Sequence, residues 1–163
     1  VEKALLENGV PPTLLVVEVT ESCLAIDELA FLKALSALRA LGVAIAIDDF
    51  GTGYSNMHSL RTMPLDAVKI DRSFIGRVEL DERDRAIYRA MVAMAQHLNL
   101  KVIAEGVESP GQYEFLRTIG CHEVQGFCFS RPLSEPQFQR LLAESASHQR
   151  ASVVKVLPFR GRR

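Results

Sequence analysis

The side chains that could bind ions or catalyse a reaction lie at the ends of the candidate strands in this sequence. Each of five apolar runs ends in a polar side chain, and the set is Glu18, Asp48 with Asp49, Lys69 with Asp71, Glu105 and Gln125. A single acid after a strand is most simply a helix cap or a solvated loop residue, so only the whole set carries information. In a parallel α/β fold the C-terminal strand ends open on one face, where barrel enzymes build sites from several strands.

Carboxylates that converge on one face repel each other unless cations lie between them. The apolar neighbours of Lys69 predict that it is buried and needs an anionic partner. One lysine does not neutralise four carboxylates, which are those of Glu18, Asp48, Asp49 and Glu105. With neither histidine nor cysteine at the strand ends, the oxygen ligands favour Mg²⁺ or Mn²⁺ over Zn²⁺. Adjacent aspartates suit two bridged ions ~3.5 to 4 Å apart, a spacing used to hydrolyse phosphate esters. The glycine-containing loop at 51–55 suits a mobile segment beside an anionic substrate.

The elements that would position these residues alternate between strands and helices. Apolar runs predict strands at 14–18, 43–48, 67–71, 101–105 and, more weakly, 121–125. Helical spacing predicts a helix with Leu24, Phe31, Leu35 and Leu38 on one stripe and Gly42 just past its end, and a second with Ile87, Met91, Met94 and Leu98 on one face. A third helix is capped by Ser109 and ended by Gly120, and a last one begins at Ser134 with Phe138, Leu141 and Leu142 inward. Parallel pairing with outer helices follows. A flat doubly wound sheet and a closed eight-stranded barrel both satisfy this pattern, and polar residues at every strand end favour the barrel.

Composition excludes several classes of function. The chain has 163 residues, 48% of them apolar, with 19 basic and 20 acidic side chains, so it does not present the basic body of a protein that binds a nucleic-acid polymer. Cys23, Cys121 and Cys128 lack the spacing of a disulfide framework or zinc site. No apolar stretch approaches the ~18 residues of a membrane span. A cytoplasmic chain is expected, which leaves room for a membrane tether elsewhere in the full-length protein. Residues 150–163 form a basic tail that we expect to be flexible.

Five motifs resemble those of the EAL domain, the bacterial cyclic di-GMP phosphodiesterase, and they occur in the family's order. They are Glu18-Val19-Thr20-Glu21-Ser22, Asp48-Asp49-Phe50-Gly51-Thr52-Gly53-Tyr54-Ser55, Lys69-Ile70-Asp71-Arg72-Ser73-Phe74, Ile103-Ala104-Glu105-Gly106-Val107-Glu108, and Gln125-Gly126-Phe127 with Ser130-Arg131-Pro132-Leu133. The resemblance implies a TIM-type (βα)8 barrel that hydrolyses cyclic di-GMP to linear pGpG with two Mg²⁺ or Mn²⁺ ions.

The resemblance also implies a role for each matched residue. Glu18 and Asp48 would hold one metal, Asp48 and Asp49 would bridge towards the second, and Glu105 would sit at the second metal and act as general base. Lys69 would orient the attacking water. Glu21 would anchor the loop that begins at Asp49, and Asp71, Glu108 and Gln125 would support the site.

The sequence departs from the family at its start. The Glu-Ala-Leu signature and the strand carrying an asparagine ligand are absent, so residues 1–149 would be the C-terminal part of an EAL-type barrel with about the last five βα units. We expect a segment of a larger domain or a truncated gene product, whose activity needs the missing N-terminal strands because five strands cannot close a barrel. The alternative function is an inactive EAL-like module that binds cyclic di-GMP or a protein partner. Fused sensory or diguanylate-cyclase-like domains and a homodimer are further expectations from the resemblance.

Overall fold

A five-stranded parallel sheet forms the centre of the chain in a computed structural model that describes residues 1–20, 28–52, 57–121 and 123–147, the side chains of 57–59 and 145–147 excepted. The strands pair in sequence order. They are β1 (Val16–Val19), β2 (Ala44–Phe50), β3 (Ala67–Ile70), β4 (Lys101–Ala104) and β5 (Glu123–Val124). Strand order that follows the chain, with every pair parallel, is the arrangement expected of consecutive βα units in a barrel.

Helices connect and flank these strands. They are α1 (Glu2–Glu7), α2 (Glu28–Ala40), α3 (Met57–Thr62), α4 (Arg72–Ile75), α5 (Glu82–His97), α6 (Pro110–Thr118) and α7 (Glu135–Ser147), with a 3₁₀ turn at Pro12–Leu14. The predicted cap of α6 is confirmed: Ser109 accepts a hydrogen bond from the Gln112 amide, and the Gln112 side chain accepts one from the Ser109 amide. Such reciprocal caps fix where a helix begins.

Alternation along the strands separates an apolar face from a polar one. Ile45, Ile47, Val68 and Ile70 are fully buried in the hydrophobic core with Tyr88 and Val92 of α5. The register pairs Ile47 with Val68 and Ile70 with Ala104, so these side chains share one face of the sheet. Lys69 lies between Val68 and Ile70, and Glu18 pairs with Ala46 between Ile45 and Ile47, so both side chains point to the opposite face. The helix-covered face of the sheet therefore packs into the hydrophobic core, and the other face carries the polar side chains that could form a functional site.

Three sequence predictions about packing are wrong in part. In α5 Met91 and Met94 pack against the core as predicted, but Ile87 is 49% exposed and Leu98 is 44% exposed, and the buried stripe is Tyr88, Val92 and Ala95. The true stripe lies beside the predicted one, and both are apolar enough to satisfy a helical period. In α7 the predicted inward residues Phe138 and Leu142 are 47% and 43% exposed. Strand β1 begins at Val16, two residues later than predicted, and Val16 and Val17 are only partly buried because β1 lies at the edge of the sheet.

Other parts of the organisation follow the prediction or fall outside it. Strand β5 is only two residues long, which agrees with its weak apolar pattern. Gly42 follows α2 with a positive φ of 93°, as expected for the glycine that ends a helix. The predicted tail at 150–163, Leu24 and Cys23 lie outside the described residues. Among the described helices, none has the length and apolar character needed to cross a membrane.

Candidate metal centre

Four strands bring charged side chains to the C-terminal edge of the sheet, which is the edge where the parallel strands end. Glu18 lies in β1, Asp48 and Asp49 in β2, and Lys69 in β3. Glu105 directly follows β4, and its amide donates to the Ile70 carbonyl at 3.1 Å, which continues the ladder past the end of the strand. The prediction that Glu18, Asp48, Lys69 and Glu105 share this edge agrees with their contacts, because parallel strands place their C-terminal ends together.

Lys69 is the centre of this cluster. Its ammonium Nζ lies 2.7 Å from Glu18 Oε2, 3.0 Å from Asp48 Oδ1 and 2.7 Å from Glu105 Oε1. The residue is 5% exposed. Burial alone would lower the pKa of Lys69, but its close contacts with the carboxylates of Glu105, Glu18 and Asp48 outweigh that effect and raise it above its usual value. The amine is therefore a cation at neutral pH and cannot accept a proton there.

A β-bulge turns both adjacent aspartates towards this edge. Successive strand residues normally point to opposite faces, so Asp48 and Asp49 would be separated in a regular strand. Here the pairing of β2 with β3 shifts register between Ile47 and Phe50, and Asp49 has a positive φ of 52°. Aspartate tolerates this left-handed conformation better than most residues. As a result, carboxylate oxygens of Asp48, Asp49 and Glu105 lie within 4.8 Å of one another.

This group of three fits a hard divalent cation. Three carboxylates contact the ammonium and that of Asp49 lies beside them, so the four leave an excess charge of about −3 when all are ionised. Asp48 Oδ1 is buried, and its contact among the described residues is the ion pair with Lys69 Nζ at 3.0 Å. A bound cation would give this buried carboxylate oxygen a further positive partner. Oxygen-only ligands from Asp48, Asp49 and Glu105 suit Mg²⁺ or Mn²⁺.

Glu18 takes a different place from the other three carboxylates. It pairs with Lys69 from the neighbouring edge strand, and its side chain is 47% exposed. Its oxygens are not among those that approach within 4.8 Å in the group of Asp48, Asp49 and Glu105. The structure therefore brings Glu18 to the lysine. Its role as ligand of one of two metals stays a prediction.

The chain beyond the bulge packs closely against two helices. Gly51 has a φ of 98°, and a Cβ placed on it would lie 2.7 Å from Phe74 Cε2 and 2.9 Å from Met91 Cε. Only glycine fits both this conformation and this space. The close approach fixes the backbone just after Asp49 against α4 and α5. The loop residues 53–56 lie outside the described residues.

The predicted supporting residues have mixed positions. Asp71 caps α4: its carboxylate accepts the Ser73 amide at 2.9 Å. Burial would raise the pKa of Asp71, but its hydrogen bonds with Ser73 and Arg72 and the charge of Arg72 together lower it. Glu108 is exposed, and its amide donates to the Gln112 side chain at 2.7 Å. Gln125 is exposed, and its backbone pairs with Ala104 and Val107. Glu21 lies outside the described residues.

Sequence reasoning missed two features of the site. Buried Gln112 accepts bonds from the Glu108 and Ser109 amides and donates to the Ile75 carbonyl at 3.4 Å, so it ties the loop after Glu105 to α4. The sequence signalled only its capping role. The bulge at Asp48 and Asp49 was also missed, although two adjacent acids at the end of an apolar strand are a signal that regular alternation is broken there.

Comparisons with known proteins agree with this geometry. The family model of the EAL domain matches residues 1–132. Cyclic di-GMP phosphodiesterase NbdA of Pseudomonas aeruginosa is 51% identical over 133 residues, which is 82% of this chain and 17% of that protein. The chain spans about a fifth of the length of the curated relatives it matches.

Solved structures extend the similarity to the fold. The P. aeruginosa MucR phosphodiesterase in complex with c-di-GMP has a TM-score of 0.77 and 47% identity, and the match covers 84% of this chain and 56% of that one. Klebsiella pneumoniae BlrP1, in a manganese and cy-diGMP complex, has a TM-score of 0.74 and 36% identity, with coverage of 80% and 33%. The fold prediction, an EAL-type α/β barrel of which this chain carries about five βα units, is confirmed.

Proposed function

The chain belongs to the EAL domain family, and from that premise we propose that it is the C-terminal part of a domain that hydrolyses cyclic di-GMP to linear pGpG. The names of the relatives support the substrate, since NbdA is a cyclic di-GMP phosphodiesterase and the MucR phosphodiesterase was solved with c-di-GMP. One observation carries the proposal: Glu18, Asp48 and Glu105 surround the buried ammonium of Lys69, with Asp49 beside them.

The excess negative charge of the cluster supports the proposal that the site binds metal ions. Cyclic di-GMP carries two phosphodiester anions, and carboxylates with an excess charge of about −3 repel such a substrate. Asp48, Asp49 and Glu105 would hold one Mg²⁺ or Mn²⁺ ion, and Glu18 with Asp48 would take part in holding the other. When bound, two such ions lower the pKa of the attacking water and stabilise the leaving 3′ oxygen.

The side chains of this protein would do the remaining work. Glu105, held at 2.7 Å by the Lys69 ammonium, would accept the proton of the attacking water. Lys69 stays protonated, so its part is to orient that water and to offset negative charge. Asp49 owes its place to the bulge, which brings a second aspartate to the same edge. Gly51 secures the backbone next to that bulge against Phe74.

Three further N-terminal strands would complete the barrel. Strands β1 and β5 lie at the two edges of the described sheet. Closure of a barrel needs strands that join such edges, and β1, which carries Glu18, would gain a second neighbour. We therefore assign full activity to the completed domain. Fused sensory or diguanylate-cyclase-like domains and a homodimer belong to the same proposal, and the bifunctional diguanylate cyclase/cyclic di-GMP phosphodiesterase MucR is one such composite relative.

A second candidate function is an inactive module that binds cyclic di-GMP or a protein partner. The observation that favours it is the place of Glu18, a proposed metal ligand, which pairs with Lys69 and lies outside the group of carboxylates that could hold one ion. The two functions make different predictions for the completed domain. Turnover distinguishes the enzyme, and binding without turnover distinguishes the module.

The test uses this chain and a chimera in which the N-terminal strands of the MucR phosphodiesterase precede it. Cyclic di-GMP is incubated with each in Mg²⁺, Mn²⁺ or a chelator, and pGpG is measured by chromatography. We expect the chimera to hydrolyse the substrate only with a divalent ion, the chain alone to be far slower, and Asp48→Asn to abolish turnover in the chimera. A folded chimera that gives no pGpG, while intact MucR phosphodiesterase is active in the same assay, would refute the enzymatic proposal.

A further inference from the structure

Lys69 has more carboxylate partners than a catalytic water-orienting residue needs. We propose that Lys69 is the internal cation of the acidic cluster, which holds the carboxylates of Glu18, Asp48 and Glu105 together before any divalent ion binds. This inference rests on the proposed function only in that it concerns the same cluster. It assigns Lys69 a task in the metal-free protein, separate from any step of hydrolysis.

The geometry of the contacts carries the inference. The three carboxylates come from β1, β2 and the end of β4, and Lys69 reaches them from β3 between these strands. Its ammonium has three hydrogens, and it has three carboxylate partners within 3.0 Å. Among the described residues, no other lysine or arginine forms an ion pair with these three acids.

Burial gives these contacts their strength. The Lys69 side chain is 7% exposed, whereas exposed ion pairs are weakened by water and salt. Without the ammonium, Asp48, Asp49 and Glu105 would keep carboxylate oxygens within 4.8 Å of one another with no positive charge between them. Removing one partner of a buried charge group is much more costly than removing an exposed one.

The consequence is a site that is assembled before metal binding. An ion that meets carboxylates already in place does not have to gather them from a repelling, spread-out arrangement. The bulge sets the backbone of Asp48 and Asp49, and the ammonium of Lys69 then offsets the repulsion between their side chains and Glu105. Backbone geometry and one buried charge together replace the organising effect of the metal.

The test is a double-mutant cycle on the 163-residue chain in chelator, with thermal unfolding followed by circular dichroism. Lys69→Met keeps the aliphatic stem and removes the charge, and we expect it to lower Tm by about 10 °C. Glu105→Gln should change the wild-type Tm by less than about 4 °C, because it removes one attraction and two repulsions. In the Lys69→Met background only the repulsions remain, so Glu105→Gln should raise Tm by at least about 5 °C.

A matched control lies on the same face of the sheet. Lys101 pairs with Glu123 at 3.3 Å, away from the cluster. Because that pair is partly exposed, with the Lys101 side chain 36% exposed, Glu123→Gln should leave the Tm of Lys101→Met within about 2 °C.

The outcomes separate the possibilities. If Glu105→Gln shifts Tm equally in both Lys69 backgrounds, Lys69 acts only through packing and the inference is overturned. If Lys69→Met alone does not fold, recovery of the folded spectrum on adding Glu105→Gln supports the inference, and failure to recover overturns it. The cycle uses neither substrate nor metal, so a failure of the phosphodiesterase proposal in the turnover assay would leave this result standing, and the reverse also holds.

Discussion

Asp48→Asn should separate metal binding from folding. Asp48 Oδ1 lies 3.0 Å from Lys69 Nζ, an attraction of about 5.5 kcal/mol at an effective dielectric constant of about 20. Oxygens of Asp49 and Glu105 lie within 4.8 Å of the Asp48 carboxylate, and each adds a repulsion of at least about 3.5 kcal/mol on the same scale. Asp49 is exposed, so solvent weakens its share. Attraction and repulsion nearly cancel, and the free energy of unfolding should change by only about 1 kcal/mol.

The effect on metal binding should be much larger. The amide of Asp48→Asn would offer one neutral oxygen where the cluster now has a charged carboxylate shared between ligands. Loss of outer-shell partners already costs about 10–100-fold in metal affinity, so we expect the loss of the Asp48 carboxylate to cost at least about 100-fold. Mn²⁺ affinity is measured by isothermal titration calorimetry, and Tm by thermal unfolding in chelator, where the shift should stay within about 4 °C.

Asp66→Asn is the matched control for this prediction. The side chain of Asp66 is about as exposed as that of Asp48, but Asp66 lies just before β3, at the N-terminal ends of the strands. Its carboxylate accepts a hydrogen bond from the Ile45 amide at 3.1 Å and pairs with Arg39 at 3.4 Å. Asp66→Asn should lower the free energy of unfolding by about 2 kcal/mol and leave Mn²⁺ affinity unchanged. Wild-type Mn²⁺ affinity in Asp48→Asn, or a Tm loss there that exceeds that of Asp66→Asn, would refute the reasoning.

Three other predictions follow from positions around the site. Gly51→Ala should cost about 3 kcal/mol, because it combines a positive φ with a Cβ 2.7 Å from Phe74 Cε2; an unchanged Tm would contradict the packing. Gln112→Ala should cost about 2 kcal/mol by leaving the Glu108 and Ser109 amides without their acceptor, and chemical denaturation that matches wild type would be inconsistent with that network. Burial raises the pKa of the Cys121 thiol to about 12, so the stability that the buried thiol contributes should be full below pH 9.0 and decline as pH rises towards about 12. For the same reason a thiol reagent at neutral pH should modify Cys128 before Cys121. Mass spectrometry that shows the reverse order would count against this burial.

The convergence of the strand ends could be predicted from sequence because it depends only on topology. Apolar runs that end in Glu18, Asp48 and Glu105 predict parallel strands, and parallel strands bring their ends to one edge. Burial of Lys69 followed in the same way from its neighbours in β3, and the structure gives it 5% exposure. These inferences need the order of the elements and no atomic detail.

The details that depend on backbone conformation or on competing apolar faces could not be predicted. The adjacent acids Asp48 and Asp49 signal that strand alternation breaks there, but they do not specify the left-handed φ that turns Asp49 to the same edge as Asp48. Helix α5 offers two neighbouring apolar stripes, and only packing against the sheet selects the one with Tyr88 rather than Ile87. Phe138 of helix α7 is 47% exposed. The helical period could not predict this exposure, because it shows which residues share a face and not whether that face is covered.

The central claim is that the carboxylates beside Lys69 form a divalent metal site, and anomalous X-ray diffraction from crystals of the chain grown with Mn²⁺ tests it most directly. We expect a manganese peak in coordination contact, about 2.0–2.2 Å, with oxygens of Asp48, Asp49 and Glu105. Well-diffracting crystals with manganese bound only elsewhere, or with no anomalous peak at this edge of the sheet, would contradict the account.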